Sequence, residues 1–329
     1  MTSNSSAEPG TDAEVADHSE AESQADINLA LPVSFEAKYG KGADRTLVLG
    51  GGGVFFVAWQ AAYLNGLANR GVDVAHAEII VGTSAGSVIA AILAGGHLKR
   101  FGKTVDVLSR FPSLVGMLAP AADFQPSQLR ALDLFREAVE ASPPTVQTIG
   151  HAALAADTPS SSETRRSVAL AVASRGWPSK SLKITSTDAY SGERLVITHE
   201  AGVSAVRAAA ASSAVPGIFA PQPVLDRRGM DGGVSGSGTH CDLVAGAKRT
   251  LVISLSAAIK ERVATMTIPA DQFDVEITNL RASGTATLTR GPNKVDITQL
   301  MSPAAIPDAI AMGDEQAATD ATELAAFWN

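Results

Sequence analysis

Apolar residues in this chain form short unbroken blocks that end in glycine. These blocks alternate with stretches in which apolar positions recur every three or four residues. Arg45-Thr46-Leu47-Val48-Leu49 is a block of strand length, and it runs directly into Gly50-Gly51-Gly52-Gly53. From about 57 to 69 the period becomes helical, with Ala58, Ala61, Leu64, Leu67 and Ala68 on one face and Gly71 placed to end the helix. Residues 78–81 predict a second strand. Ser84 opens a second helix, and Gly95-Gly96 closes it. Residues 97–180 are punctuated by prolines and read as a mostly helical insertion over one end of the sheet, with a helix over 128–141 and a polar loop over 158–166. Alternation returns at 182–187, followed by a turn at 190–193 and a returning strand at 194–198, the pattern of a hairpin. An Ala-rich helix over 204–211, a buried strand over 250–255 and an amphipathic helix over 314–327 complete the pattern. Strand–helix–strand–helix order implies a parallel sheet covered by helices on its faces.

Composition changes this picture at one end only. The formal charge of −8 comes from 34 acidic and 26 basic residues. Residues 1–37 contain eight of the acids (Glu8, Asp12, Glu14, Asp17, Glu20, Glu22, Asp26 and Glu36) and no Lys or Arg, so the remainder balances at 26 of each sign. Residues 1–40 are therefore expected to be a disordered acidic leader, too poor in large apolar groups to offset the entropy of ordering, and 41–329 a single domain. A balanced body has no basic footprint for nucleic acid. Cys241, the single cysteine, has no intrachain disulfide partner and reads as a small buried apolar residue. No apolar run reaches the roughly 20 residues of a membrane span, and no signal peptide is seen, so a cytoplasmic location is expected.

The candidate chemistry begins at Gly82-Thr83-Ser84-Ala85-Gly86. A Gly-x-Ser-x-Gly pentapeptide between a strand and a helix is the context of a nucleophile elbow, with the serine exposed at a helix N-terminus that favours developing negative charge. Serine needs a base to attack. His76 lies at the far end of the second strand from Ser84, and His199 and His240 read as surface histidines, so the candidate base is instead Asp231 in Met230-Asp231-Gly232-Gly233; an isolated Asp-Gly is otherwise a turn. The glycine run after the first strand can offer amide N–H groups to an oxyanion. A P-loop would need Gly-Lys-Ser/Thr, which is absent. A dinucleotide fingerprint on Gly51-x-Gly53 would put Phe56 where a third glycine belongs.

Gly51-Gly52-Gly53, Gly82-Thr83-Ser84-Ala85-Gly86 and Asp231-Gly232-Gly233, in that order, resemble the patatin-like phospholipase family. The run Ala211-Ser212-Ser213-Ala214-Val215-Pro216-Gly217-Ile218-Phe219 and residues 50–59 also look like the family, the latter like its actinobacterial-type members. The resemblance spans about 45–256. It implies a patatin-like modified α/β-hydrolase fold: a central, mostly parallel sheet flanked by helices, with a helical insertion. It implies a serine lipid acyl hydrolase of the phospholipase A or lipase type, with Ser84 as nucleophile, Asp231 as general base and the amides of Gly51, Gly52 and Gly53 as oxyanion hole. Neither a metal nor a cofactor is implied; the partner is a lipid ester substrate, with transient contact to a membrane surface. The family's glycine loop usually continues x-Arg/Lys-Gly, whereas this chain has Val54-Phe55-Phe56. Phe55 and Phe56 are accordingly expected to line the acyl channel, or else to distort the loop. Two alternatives follow: a catalytically silent lipid-binding or scaffold protein of the same fold, and a small-ester esterase.

Overall fold

A computed structural model describes residues 1, 29–109, 124–174, 176–259, 269 and 271–329. The strands are β1 (Arg45–Leu49), β2 (Ile79–Gly82), β3 (Leu182–Asp188), β4 (Arg194–Ile197), β5 (Gln222–Val224), β6 (Arg227–Met230), β7 (Arg249–Ile253) and β8 (Ala286–Arg290). The helices are α1 (Gly53–Ala68), α2 (Ala85–Ala94), α3 (Leu98–Ser109), α4 (Pro126–Glu137), α5 (Pro143–Ala155), α6 (Ser161–Val172), α7 (Ala205–Ser212), α8 (Gln272–Ala282) and α9 (Ile306–Trp328). The sheet order is β5-β6-β3-β2-β1-β7-β8, with β4 paired to β3. From β3 through β8 all neighbours in that order are parallel; β4, β5 and β6 are antiparallel additions.

The apolar blocks are buried on both faces, which is why they run without polar alternation. Leu47, Leu49, Ile80, Leu251 and Ile253 face one core with α1, α2 and α9. The intervening Val48, Val81 and Val252 face a second core with α8 and residues 241–245. Among the described residues no helix is long and apolar enough to cross a membrane.

Several expectations about elements change: the helix expected over 128–141 ends at Glu137, and the one expected over 314–327 begins at Ile306. The first helix starts at Gly53, four residues earlier than its apolar period suggested. Residues 158–166 are not all loop: α6 begins at Ser161, because Ser160 and Glu163 form a reciprocal capping box that satisfies the first-turn amides. The leader boundary at 40 also shifts. Leu29 is buried and Ala30 pairs with Leu195. The Leu31 N–H donates to the Arg194 carbonyl (3.1 Å), and the Val196 N–H donates to the Leu29 carbonyl (2.8 Å). The cause is a buried ion pair. Arg194 donates Nη1 and Nη2 to the two Asp242 carboxylate oxygens (2.6 and 2.9 Å), and its remaining donors reach the carbonyls of Leu31 (2.9 Å) and Pro32 (2.8 Å). A guanidinium in the interior must satisfy all its N–H groups, and residues 31–32 supply the acceptors. The disorder expected over 2–28 falls outside the described residues.

Candidate active site

Ser84 occupies the turn between β2 and α2, with φ 51° and ψ −122°. Few non-glycine residues adopt such a backbone, and surrounding contacts must over-determine it. Here they do. The Ser84 N–H donates to Ser212 Oγ (2.8 Å). Its carbonyl accepts from Ser87 Oγ (2.6 Å) and Ser213 Oγ (3.1 Å). The flanking glycines are required by close approach: a Cβ at Gly86 would lie 2.0 Å from the Leu49 carbonyl oxygen, and one at Gly82 would lie 2.7 Å from the Ala90 Cβ. The first turn of α2 is pressed onto β1, and the serine is turned out.

Asp231 arrives from far along the chain by a specific piece of topology. Strand β3 pairs with β4 along one edge, Ile184 with Ile197 through Thr187 with Arg194. Its other edge is shared. Leu182–Ile184 pair with Ile80–Gly82 of β2, and Thr187–Asp188 pair with Met230 and Gly229 of β6. The two neighbours run in opposite directions in a single lane, so the C-terminal ends of β2 and β6 converge. Gly82 is opposite Ile184 and Met230 opposite Thr187, about 10 Å further along β3. Hydroxyls on β3 fix both ends. Thr185 Oγ1 bonds Thr83 Oγ1 (2.8 Å), while Ser186 Oγ donates to the Met230 carbonyl (2.7 Å) and Thr187 Oγ1 to the Asp231 carbonyl (2.9 Å). The turn after α7 ties the halves together, since the Asp231 N–H donates to the Ala214 carbonyl (2.9 Å) two residues after Ser212 binds the Ser84 amide.

The Asp231 carboxyl is buried. Oδ1 accepts the Gly233 N–H (2.9 Å), and Oδ2 has no well-formed hydrogen bond. Burial pushes its pKa up to about 6, against the pull of the Ser84 hydroxyl and the Gly233 amide. The Ser84 hydroxyl is thus near enough to Asp231 to favour the carboxylate. His240 differs from its expected surface position: it is fully buried, with Nε2 3.2 Å from the Gly232 carbonyl and Nδ1 unpartnered. Burial, and then the nearby Arg194 charge, lower its pKa to about 3, so it is a neutral ring under the Asp-Gly-Gly turn. His76 is at the surface against Asp73 (3.2 Å), and Cys241 is buried.

In the glycine run, the Gly50 N–H is bound to the Ile253 carbonyl (2.8 Å), the Phe55 N–H to the Leu300 carbonyl (3.1 Å) and the Phe56 N–H to the Gly52 carbonyl (3.3 Å). Gly51 and Gly53 line the same cavity as Ser84 and Asp231. Gly52 is turned instead toward Phe56 and Leu255. The cavity is about 930 Å³, and its walls are largely apolar, with Val88, Phe101, Phe135, Val168 and Leu300 among them. Phe55 and Phe56 are not in its wall. Because α1 starts at Gly53, Val54, Val57 and Ala58 face the cavity and both phenylalanines face the core. Phe56 stacks on Trp59 at 5.5 Å between ring centroids. The wall residues Leu300 and Met301, like the β3 hydroxyls and Ser212–Ser213, were not singled out as site residues. A Thr-Ser-Thr run in a strand that should be buried was the one available signal.

Fold and site define a class: an α/β protein with a strained serine at a strand–helix turn, next to a buried carboxylate in a largely apolar cavity. Residues 47–240 match the model of the patatin-like phospholipase family, and the chain belongs to that family and has its fold. A comparison with curated proteins returns no match. Among solved structures, VipD from Legionella pneumophila is similar at TM-score 0.41 and 14% identity, over 89% of this chain and 68% of that one. The type III effector protein ExoU is similar at TM-score 0.35 and 17% identity, over 84% of this chain and 54% of that one. ExoU in its heterodimeric complex with SpcU, from the type III secretion system of Pseudomonas aeruginosa, is similar at TM-score 0.33 and 18% identity, over 84% and 52%. The chain thus spans about two thirds of VipD and about half of ExoU.

Proposed function

We propose that this protein is a serine lipid acyl hydrolase of the phospholipase A or lipase type, an actinobacterial-type member of its family. The observation that carries the reading is that Ser84, strained at the N-terminus of α2, and the buried Asp231 open into one apolar cavity beside Gly51 and Gly53. Asp231 takes the Ser84 hydroxyl proton as Oγ attacks the ester carbonyl. Amides of the Gly51–Gly53 turn and the N-terminus of α2 stabilise the oxyanion. The tetrahedral intermediate collapses, the alcohol leaves with the proton from Asp231, and an acyl-Ser84 ester remains. Water, deprotonated by Asp231, attacks that ester, and the fatty acid and free Ser84 are regenerated. No metal or cofactor enters these steps.

The silent lipid-binding or scaffold reading drew on Phe55 and Phe56 distorting the glycine turn. Their place in the core leaves the cavity open to Gly51 and Gly53, which favours the hydrolase. The cavity volume favours long acyl chains over small esters. Labelling with a fluorophosphonate probe, followed by peptide mapping, tests the chemistry. The expected result is an adduct on Ser84 that is lost in Asp231→Asn. A folded protein that takes no label would sink the hydrolase reading. A p-nitrophenyl ester series from acetate to palmitate tests the substrate, with kcat/KM expected to rise with chain length.

A further inference from the structure

A residue that lines the cavity yet is itself exposed marks the cavity's rim. Arg100 on α3, Arg136 on α4, Leu170 on α6 and Ile297 meet both conditions. Leu170 and Ile297 are 71% and 53% exposed, large apolar side chains held in water at the opening. The other exposed wall positions are Thr104, Ser167, Thr298 and Ala173; among the described residues no exposed carboxylate lines the cavity. In a body with equal numbers of acids and bases, it is a local feature that the charged residues exposed in the cavity wall are both cations among the described residues. Asp133 and Glu137 on α4 and Asp296 beside Ile297 are exposed carboxylates that flank the rim outside the cavity wall, as Lys99 and Lys103 flank it on α3. Arg100 and Arg136 make no ion pair or side-chain hydrogen bond with any described residue, so their charge is available to a ligand.

Helix α3 extends this surface. It turns Phe101 and Val105 into the cavity and exposes Lys99, Arg100 and Lys103, with Val107 54% exposed beside them. A helix with an apolar side and a cationic polar side is the element that lies along a charged lipid interface.

We propose that this rim docks on an anionic lipid bilayer, with Lys99, Arg100, Lys103 and Arg136 on the headgroups and Leu170 and Ile297 inserted between them. The inference rests on the hydrolase reading for its purpose, since docking there joins the apolar cavity to the bilayer interior and a lipid chain can pass across without crossing water. Unpaired cations argue for an anionic surface rather than a zwitterionic one, because juxtamembrane cations gain free energy from the negative surface potential of such lipids.

The test is co-sedimentation of the full chain, as Ser84→Ala so that nothing is hydrolysed, with vesicles of phosphatidylcholine alone or with 30% phosphatidylglycerol. Binding is expected to be at least about tenfold stronger to the anionic vesicles and to weaken with salt. K99E/K103E should reduce it about tenfold or more, and the K41E/K180E control, which reverses exposed lysines elsewhere, should not. L170S/I297S should reduce binding at high salt, where the apolar contribution remains. Melting curves confirm that each variant is folded. Equal binding to both vesicles, full binding by K99E/K103E, or an equal loss in the K41E/K180E control would overturn the proposal. Docking without probe labelling of Ser84 in the parent would leave the surface standing and remove the hydrolase; labelling without anionic preference would do the reverse.

Discussion

Ser84 and Asp231 face each other, but they are held in unlike ways. The Ser84 side is local. A strand, a turn with glycines at 82 and 86, and a helix within about fifteen residues impose its backbone. The Asp231 side is built at a distance. Its strand has four residues, and its carbonyl and amide are held by Thr187 and Ala214. Steric necessity positions the serine, whereas polar contacts between remote segments position the carboxylate. The first kind of control fails abruptly when changed, and the second fails by degrees.

The comparison breaks most sharply at the carboxylate itself. Asp231→Asn is expected to reduce kcat/KM about 10³-fold or more on a p-nitrophenyl ester. The same change should stabilise the protein. The folded-state pKa is raised from 3.8 to about 6, so the folded chain holds this proton more tightly than the unfolded one. The resulting penalty is absent below about pH 4, grows as pH rises toward 6, and is complete above that, on the order of 3 kcal/mol. Asp231→Asn should therefore melt several degrees above the parent at pH 8 and level with it at pH 4. In the parent, kcat/KM should fall tenfold per pH unit below about 6. A variant that melts no higher at pH 8 would mean the carboxylate is better solvated than its burial implies.

Gly86→Ala addresses the steric side. With the Leu49 carbonyl 2.0 Å from the new Cβ, α2 must shift, and a loss of about 3 kcal/mol in chemical denaturation is expected, with loss of probe labelling at Ser84. Thr187→Val addresses the polar side. It removes the donor to the Asp231 carbonyl and should cost only about 1 kcal/mol, lowering kcat severalfold with KM unchanged. An effect on kcat as large as that of Gly86→Ala would mean that both sides are equally brittle.

The same contrast explains what could be read from the chain alone. The parallel strands, the serine turn and the hairpin at 182–198 were legible because apolar period and glycine spacing are local signals. Asp231 was a candidate for want of a suitably placed histidine, and the family resemblance supported it, but nothing near it in the sequence says that Thr185, Ser186 and Thr187 would aim both halves of the site. Phe55 and Phe56 were misplaced for a related reason: a helix entered directly from glycine shows no capping residue, and an early start rotates both rings into the core. In the insertion, Pro126 and Pro143 read as breaks yet sit in the first turns of α4 and α5, where proline's fixed φ suits a helix. Strand β8 and helix α8 were missed because a partly exposed edge strand and a weakly periodic helix carry little apolar signal.

The lane shared by β2 and β6 has a consequence for how such a protein can diversify. The separation of Ser84 and Asp231 is counted in residues of β3, between the partner of Gly82 and the partner of Met230. The insertion leaves the sheet after α2 and rejoins it at β3, upstream of both pairings. Its helices can lengthen, shorten or exchange side chains, and the cavity will change shape with them while that count stays the same. The part of the cavity wall that the insertion supplies can thereby drift without moving the pair, whereas the part supplied by α1 and α2 cannot.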